Sequence, residues 1–311
     1  MQLIKKFLAN SVYKDYEIQT ASTDASFRRY FRISKDEKSF IVMDSSLEKE
    51  SLKPFVEVTK KLLKADVDAP KIYFENLEEG FLVLEDFGSQ DLLSSLNKDN
   101  FKKYYKLAIN EILKMQKADT NDLPMYDEVF LKKEMSLMKE WFIEKFIKDK
   151  NYDTAMIDEA LNYIAKEVLS QPQGYFVHRD FHSRNIMLRS DESLGVIDYQ
   201  DAMNGSITYD LVSLLRDLYI RFEPNDIEEL ALYFRDIAGI DANDKEFMRW
   251  FDFMGMQRHI KVLGIFSRLY LRDGKDGYLK DLPLTLQYLL ESASKYDETS
   301  KLYGYLKTIR L

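Results

Sequence analysis

Residues Tyr175–Asp201 read YFVHRDFHSRNIMLRSDESLGVIDYQD. An apolar lead-in runs into a polar turn that holds His178, Asp180, His182 and Asn185. A short strand is expected next (Asn185–Leu188), then a loop turning at Gly195, then a second strand (Gly195–Asp198) that ends on a carboxylate. Asp198 follows Asn185 by thirteen residues. A hairpin of that length returns both residues to the same end of the pair, with Asp180 facing them from the turn.

Three oxygen-bearing side chains in that arrangement suit phosphoryl transfer. The reaction needs a carboxylate to orient an attacking hydroxyl and accept its proton, and hard oxygen ligands to hold Mg²⁺ against a polyphosphate. Asp180 is placed for the first task, Asn185 and Asp198 for the second. The spacing H-R-D-x-x-x-x-N followed by a strand-end Asp matches the catalytic and metal loops of the kinase fold. A merely structural polar turn would leave this clustering of base and metal ligands between apolar strands unexplained. His178-x-Asp180-x-His182 could also suggest a metallohydrolase, but the third histidine, His259, is far off in sequence and transition metals want more nitrogen or sulfur donors. His178 is expected to brace the turn, and His182 to form a hydrogen-bonding wall of an acceptor pocket.

The segments before this stretch alternate as a small sheet. A short amphipathic helix (2–12) precedes strands at Tyr16–Ser22, Ser26–Ser34 and Ser39–Asp44, with Lys35–Lys38 as a tight polar turn. Leu52–Lys64 has helical periodicity, and Pro70–Glu75 and Phe81–Glu85 give two more strands. Glu85-Asp86-Phe87-Gly88 would be a hinge whose backbone groups pair with the edge of adenine, which places Glu85 and Phe87 at an ATP site. From about Asn97 the pattern is helical: Phe101–Ala118, Glu128–Lys148, Thr154–Ser170, Tyr209–Ile220, Ile227–Ile237, Lys245–Arg272 and Leu284–Lys295. The expected class is α+β, a two-lobed protein-kinase-like fold with a small antiparallel-sheet N-lobe and a larger helical C-lobe. Residues 1–88 form the nucleotide-binding lobe, and residues 89–311 the lobe with the catalytic hairpins and acceptor site.

Two features depart from protein kinases. No glycine occurs before Gly80, so G-x-G-x-x-G is absent, and Ser22–Arg29 (STDASFRR) takes its place. Ser26 in that turn could approach phosphate oxygens closely, and arginine could supply charge. The third strand carries Met43 where a kinase has lysine. Arg28 or Arg32 could replace that cation, or the alternating arginines could be a solvated strand face. After Asp198 only ten residues, Tyr199–Thr208, precede the next helix. Such a segment is too short to dock a protein substrate, so a small-molecule acceptor is expected. Asp210 is placed either to pin the catalytic turn from behind or to serve as an ordinary first-turn helix acid.

DASFRRYFRI (24–33), FIVMD (40–44), VHRDFHSRNIM (177–187), GVIDYQDAMNGSITYDLVSLLRD (195–217) and QRHIKVLGIFSRLYLRDGK (257–275) together resemble the aminoglycoside phosphotransferase-like small-molecule kinases over essentially the whole chain. Within them the sequence looks similar to the bacterial N-acetylmuramate/N-acetylglucosamine anomeric kinases of peptidoglycan recycling. The resemblance implies ATP as donor, Asp180 as base, Asn185 and Asp198 as Mg²⁺ ligands, and the anomeric hydroxyl of an N-acetylated hexosamine as acceptor. The FIVMD pattern without lysine is shared with that subgroup. Acceptor contacts are expected from His182, Arg184, Asp201, Arg216 and Arg258. Arg216 could equally pair with Asp217 or a nearby glutamate. Arg258, Lys261, Ile265, Arg268 and Arg272 share one arc of a helix. That stripe is either a solvated face or a site for a sugar carboxylate such as the lactyl ether of muramate.

Composition narrows the alternatives. The 311 residues suffice for two lobes with cores, and a net charge of −8 argues against nucleic acid or an anionic membrane as partner. No apolar window approaches a bilayer span, the N-terminus lacks signal-peptide features, and no obligate protein partner is implied. Zero cysteines exclude disulfides and thiol catalysis and are compatible with a cytoplasmic location. Two alternatives stay open. One is another kinase of this fold acting on an aminoglycoside, choline or an amino alcohol. The other is a nucleotide-binding scaffold that has lost catalysis, suggested by Met43 and the glycine-free turn.

Overall fold

The structure is a computed structural model, and it describes residues 2–9, 11–22 and 28–311. Helix α1 (Gln2–Leu8) leads into strands β1 (Glu17–Ser22), β2 (Arg29–Lys35) and β3 (Lys38–Asp44), then helix α2 (Leu52–Lys64) and strands β4 (Ile72–Asn76) and β5 (Phe81–Glu85). The strands form one antiparallel sheet in the order β1-β2-β3-β5-β4. Strand alternation puts Phe31, Ile33, Val42, Phe81 and Val83 on one face, where Ile4, Phe7 and Leu8 of α1 close a core with Tyr13. Met43, Leu82 and Leu84 are buried on the opposite face. β5 is therefore covered on both sides, as its unbroken FLVL run suggests. Helix α2 buries Leu52, Phe55, Val56, Thr59 and Leu62 along one stripe. Each large apolar side chain there contributes about 1.5–3 kcal/mol, so packing rather than propensity holds this helix.

The chain continues through α3 (Leu92–Ser95), α4 (Phe101–Met115), α5 (Glu128–Leu137), α6 (Thr154–Ser170) and the short strands β6 (Tyr175–Val177), β7 (Ile186–Leu188), β8 (Leu194–Val196) and β9 (Met203–Gly205). It ends with α7 (Tyr209–Leu215), α8 (Pro224–Ala238), α9 (Asp244–Asp273), α10 (Leu282–Ala293) and α11 (Ser300–Leu306). Asp91, Asp127, Asp153 and Asn243 cap α3, α5, α6 and α9 by accepting a backbone N–H of the first turn. The helix anticipated over Glu128–Lys148 changes type: α5 stops at Leu137 and Met138–Ile147 continue as a π-helix. The change falls one residue after a backbone contact with α9, where a Cβ on Gly264 would lie 2.4 Å from the Leu137 carbonyl carbon. The helix anticipated to reach Ile220 ends at Leu215. Just beyond it, the Asp217 side chain accepts the N–H of Tyr219 at 3.0 Å, a local turn that competes with helix.

The chain forms two compact units. The first comprises residues 1–96, 117–119 and 183–202, so the β7–β8 hairpin groups with the N-terminal sheet. The second comprises residues 97–116, 120–182 and 203–311, built on α9, in which every residue from Phe251 to Gly264 is buried. A helix buried all round sits in a core, not on a surface. Its central cations are therefore not a solvated face.

Candidate active site

In the first unit, Ser183–Asn185 form a 3₁₀ turn, so the strand begins at Ile186 instead of Asn185. Ile186, Met187 and Leu188 pair with Val196, Gly195 and Leu194, and the hairpin is tied down by Leu188 N–H to Gln90 O (2.9 Å) and Val196 N–H to Asp68 O (2.7 Å). Asp198 lies beyond the ladder at φ 65°, a left-handed backbone that costs a non-glycine residue on the order of 1–3 kcal/mol and clusters at functional sites. Asn185 Nδ2 donates to Asp198 Oδ2 at 3.2 Å, and Gln200 Nε2 donates to Oδ1 at 3.0 Å. Two hard-oxygen side chains thus stand side by side, a donor set that fits Mg²⁺. Among the described residues no group of three or more His, Cys, Asp or Glu side chains could hold a metal. The remaining coordination would come from water and a substrate's phosphates.

The hinge is anchored from two directions. Arg32 donates to both carboxylate oxygens of Asp86 (2.6 and 2.9 Å) and to Gly88 O (2.8 Å). Burial alone would raise Asp86, but the hydrogen bonds from Arg32 and the Gly88 amide bring it below the usual carboxylate range. Arg189 donates to Glu85 at 3.2 Å and lies 4.7 Å from the Phe87 ring centroid. Phe87 in turn covers Gly195, where an added Cβ would meet its ring at 2.3 Å. The side chains of Glu85 and Phe87 are therefore engaged within this segment and its packing on the β7–β8 hairpin. Arg32 is committed to the hinge, so of the two arginines weighed for the missing lysine only Arg28, buried just ahead of β2, lies outside that anchor. Met43 is fully buried. Ser26 lies outside the described residues.

In the second unit, β6 pairs with β9 and delivers the chain into His178-Arg179-Asp180. Asp210 accepts the N–H of His178 at 2.8 Å and that of Arg179 at 3.1 Å, which pins the turn from behind. Burial pushes its carboxyl up to about 6, opposed by His178 and those two amides. Arg179 sits at φ 78° and pairs with Glu134 at 2.7 Å. His178 is buried, packs on the edge of Phe181 and accepts the N–H of Asp180 at 3.3 Å. Burial alone would raise Asp180, but Lys261, then His182, Arg258 and Arg179, hold it down at about 2. Its carboxylate is therefore ionised near neutral pH.

A buried network supports this turn. Lys261 donates to Tyr209 Oη at 3.0 Å and lies 3.5 Å from Glu134, Tyr126 bonds Glu134, and Gln257 donates to Tyr126 Oη at 3.1 Å. Glu134, Tyr209 and Tyr126 were not anticipated as site residues. In sequence they are ordinary helix or loop polar residues, and only their convergence distinguishes them.

The expected acceptor residues fare differently. His182 packs edge-on against Tyr219 at 5.2 Å, and burial pushes it below its ordinary value, opposed by Asp217 and Asp180. Arg258 is buried within electrostatic reach of Asp180 and His182. Arg216 is drawn elsewhere: it pairs with Asp252, donates to Ser292 Oγ at 2.8 Å and stacks on Phe251. Its partner is thus neither Asp217 nor a glutamate. Arg184 is half-buried and Asp201 exposed, both in the first unit.

Residues 17–251 match the phosphotransferase enzyme family. An N-acetylmuramate/N-acetylglucosamine kinase of Neisseria meningitidis serogroup B is 37% identical over 306 residues, covering 94% of this chain and 90% of that protein. A protein of the same name from Pseudomonas aeruginosa is also 37% identical, covering 94% and 88%. Among solved structures, an ethanolamine kinase of Plasmodium vivax superposes with a TM-score of 0.66 at 13% identity, covering 91% of this chain and 85% of that one. A choline kinase of Streptococcus pneumoniae superposes with a TM-score of 0.64 at 16% identity, covering 93% and 98%. These structures share the kinase-like fold. No helix among the described residues is long and apolar enough to cross a membrane.

Proposed function

This chain belongs to the phosphotransferase enzyme family, and from that premise we propose that it transfers the γ-phosphoryl group of ATP to the anomeric hydroxyl of N-acetylmuramate and N-acetylglucosamine. The observation that carries the acceptor is the 37% identity, over 94% of the chain, to kinases named for those two sugars. Electrostatics support it against the cationic acceptors of the same fold. Lys261, Arg258 and Arg179 act on Asp180 as cations and lower it, the wrong sign of surroundings for choline or an aminoglycoside.

Asp180 orients the sugar O1 toward the γ-phosphorus and accepts its proton as the O1–P bond forms and the bond to the β–γ bridging oxygen breaks. The products are ADP and the sugar 1-phosphate. Lys261 and Arg258 keep the base ionised, and Asp210 fixes the backbone that presents it. Asn185 and Asp198 would hold Mg²⁺, which when bound neutralises charge on the transferred phosphate oxygens. Residues 1–88 serve the nucleotide, with backbone atoms of Glu85–Gly88 against adenine, and residues 89–311 serve the acceptor. ATP as donor fits a cytoplasmic site of action. A coupled assay for ADP release with N-acetylmuramate, N-acetylglucosamine, choline and kanamycin tests the reading. Release with either sugar and neither cation is expected, and turnover of choline or kanamycin alone would overturn it.

A further inference from the structure

We infer that Arg258 recognises an anionic substituent of the acceptor, a carboxylate carried on the sugar apart from the hydroxyl that receives phosphate. The inference rests on the acceptor class proposed above and adds the residue that tells its two members apart.

Arg258 lies in the stretch of α9 that is buried on all sides and is itself only 2% exposed. Its Nε and Nη1 are buried without a hydrogen-bond partner among the described residues. An uncompensated buried guanidinium is expensive, because each unmet donor loses its hydration without replacement. Arg258 lies within electrostatic reach of Asp180, the base, and of His182, whose Nδ1 is likewise buried and unpartnered. Two unmet guanidinium donors beside the reacting position are what a bound anion would complete, since a guanidinium meets a carboxylate through two parallel bonds.

Of the other cations of the second unit that sequence reasoning brought forward, Arg268 also has an unpartnered Nε among the described residues but is only half-buried, and the rest are occupied. Lys261 is held by Tyr209 and Glu134, Arg216 by Asp252 and Ser292, and Arg272 by Asp273. Of the two proposed acceptors, N-acetylmuramate carries a lactyl carboxylate and N-acetylglucosamine has a hydroxyl in its place. The two therefore differ in the group Arg258 would read.

The test compares kcat/KM for both sugars in the wild type and in Arg258→Gln and Arg258→Lys. Loss of a charge-assisted pair should lower the ratio of muramate to glucosamine kcat/KM by about 10- to 100-fold in Arg258→Gln, and by less in Arg258→Lys. An unchanged ratio would overturn the inference. A measurement that needs no variant runs beside it: the wild type should use the methyl ester of N-acetylmuramate about 10- to 100-fold less well than the acid. Equal use of ester and acid would overturn the inference even if the variants failed to fold. Wild-type ADP release with N-acetylglucosamine separates the two levels. Its presence with an unchanged ratio removes only the role of Arg258, whereas no release with either sugar removes the proposed function.

Discussion

Asp210 and His178, 32 residues apart, are joined by a 2.8 Å hydrogen bond from the His178 amide to Asp210 Oδ2, and the other carboxylate oxygen takes the next amide, that of Arg179. One side chain at the start of α7 thereby fixes the backbone immediately ahead of Asp180. Asp210→Ala should leave two buried amides without acceptors and cost about 2–4 kcal/mol, measured by urea denaturation. The pH dependence has a definite sign. The folded carboxyl, at about 6, lies above its ordinary 3.8, so the native state binds a proton that the unfolded chain releases. Its contribution to stability is full below about 3.8 and is lost as pH rises through 6. The stability of the wild type relative to Asp210→Asn should therefore fall between pH 4 and pH 6, and a difference that stays flat across that window would contradict the assignment.

Asp180→Asn should lower turnover by about 10²–10⁴-fold, the usual effect of removing a general base. The anchor of the hinge does not involve Asp180, so nucleotide affinity measured by calorimetry should hold. A near-wild-type rate in this variant would show that the proton goes elsewhere. Stability changes the other way from Asp210: with its pKa near 2, Asp180 contributes above pH 3.8 and loses that contribution as pH falls toward 2. The variant should lack that acid loss.

Chelation of divalent ions should stop turnover, and added Mg²⁺ should restore it. Asp198→Ala removes a carboxylate and Asn185→Ala an amide, so both should weaken Mg²⁺-dependent nucleotide binding, the first more strongly because it carries the charge. Tight metal-dependent binding that survived Asp198→Ala would place the ion somewhere else.

The Phe87 ring fills the space over Gly195. Gly195→Ala should force the ring aside and destabilise the protein by about 1–3 kcal/mol, read as a lowered thermal midpoint. Phe87→Ala combined with Gly195→Ala should cost less than the sum of the two single changes, because the clash disappears with the ring. Strict additivity would mean that the two do not share that space.

Much of this was legible along the chain. Every strand of the five-stranded sheet was expected within a few residues of its place, because alternation and the Lys35–Lys38 turn are local signals. The thirteen-residue interval between Asn185 and Asp198 implied that the two would meet, and they are hydrogen-bonded at 3.2 Å. The β6–β9 pair was not visible: three-residue strands carry too little periodicity to register.

What sequence settled by itself is the order along the chain of the strands of the five-stranded sheet and the meeting of Asn185 with Asp198, since both follow from spacing within short segments. Tertiary structure alone decided the fate of the arginines. Arg32 joins Asp86 across 54 residues and Arg216 joins Asp252 across 36, while Arg258 is left with unmet donors in the core of α9. Periodicity places a cation on a helix or strand face, but which carboxylate meets it depends on which faces pack together. That choice is made by burial of the apolar surface around them.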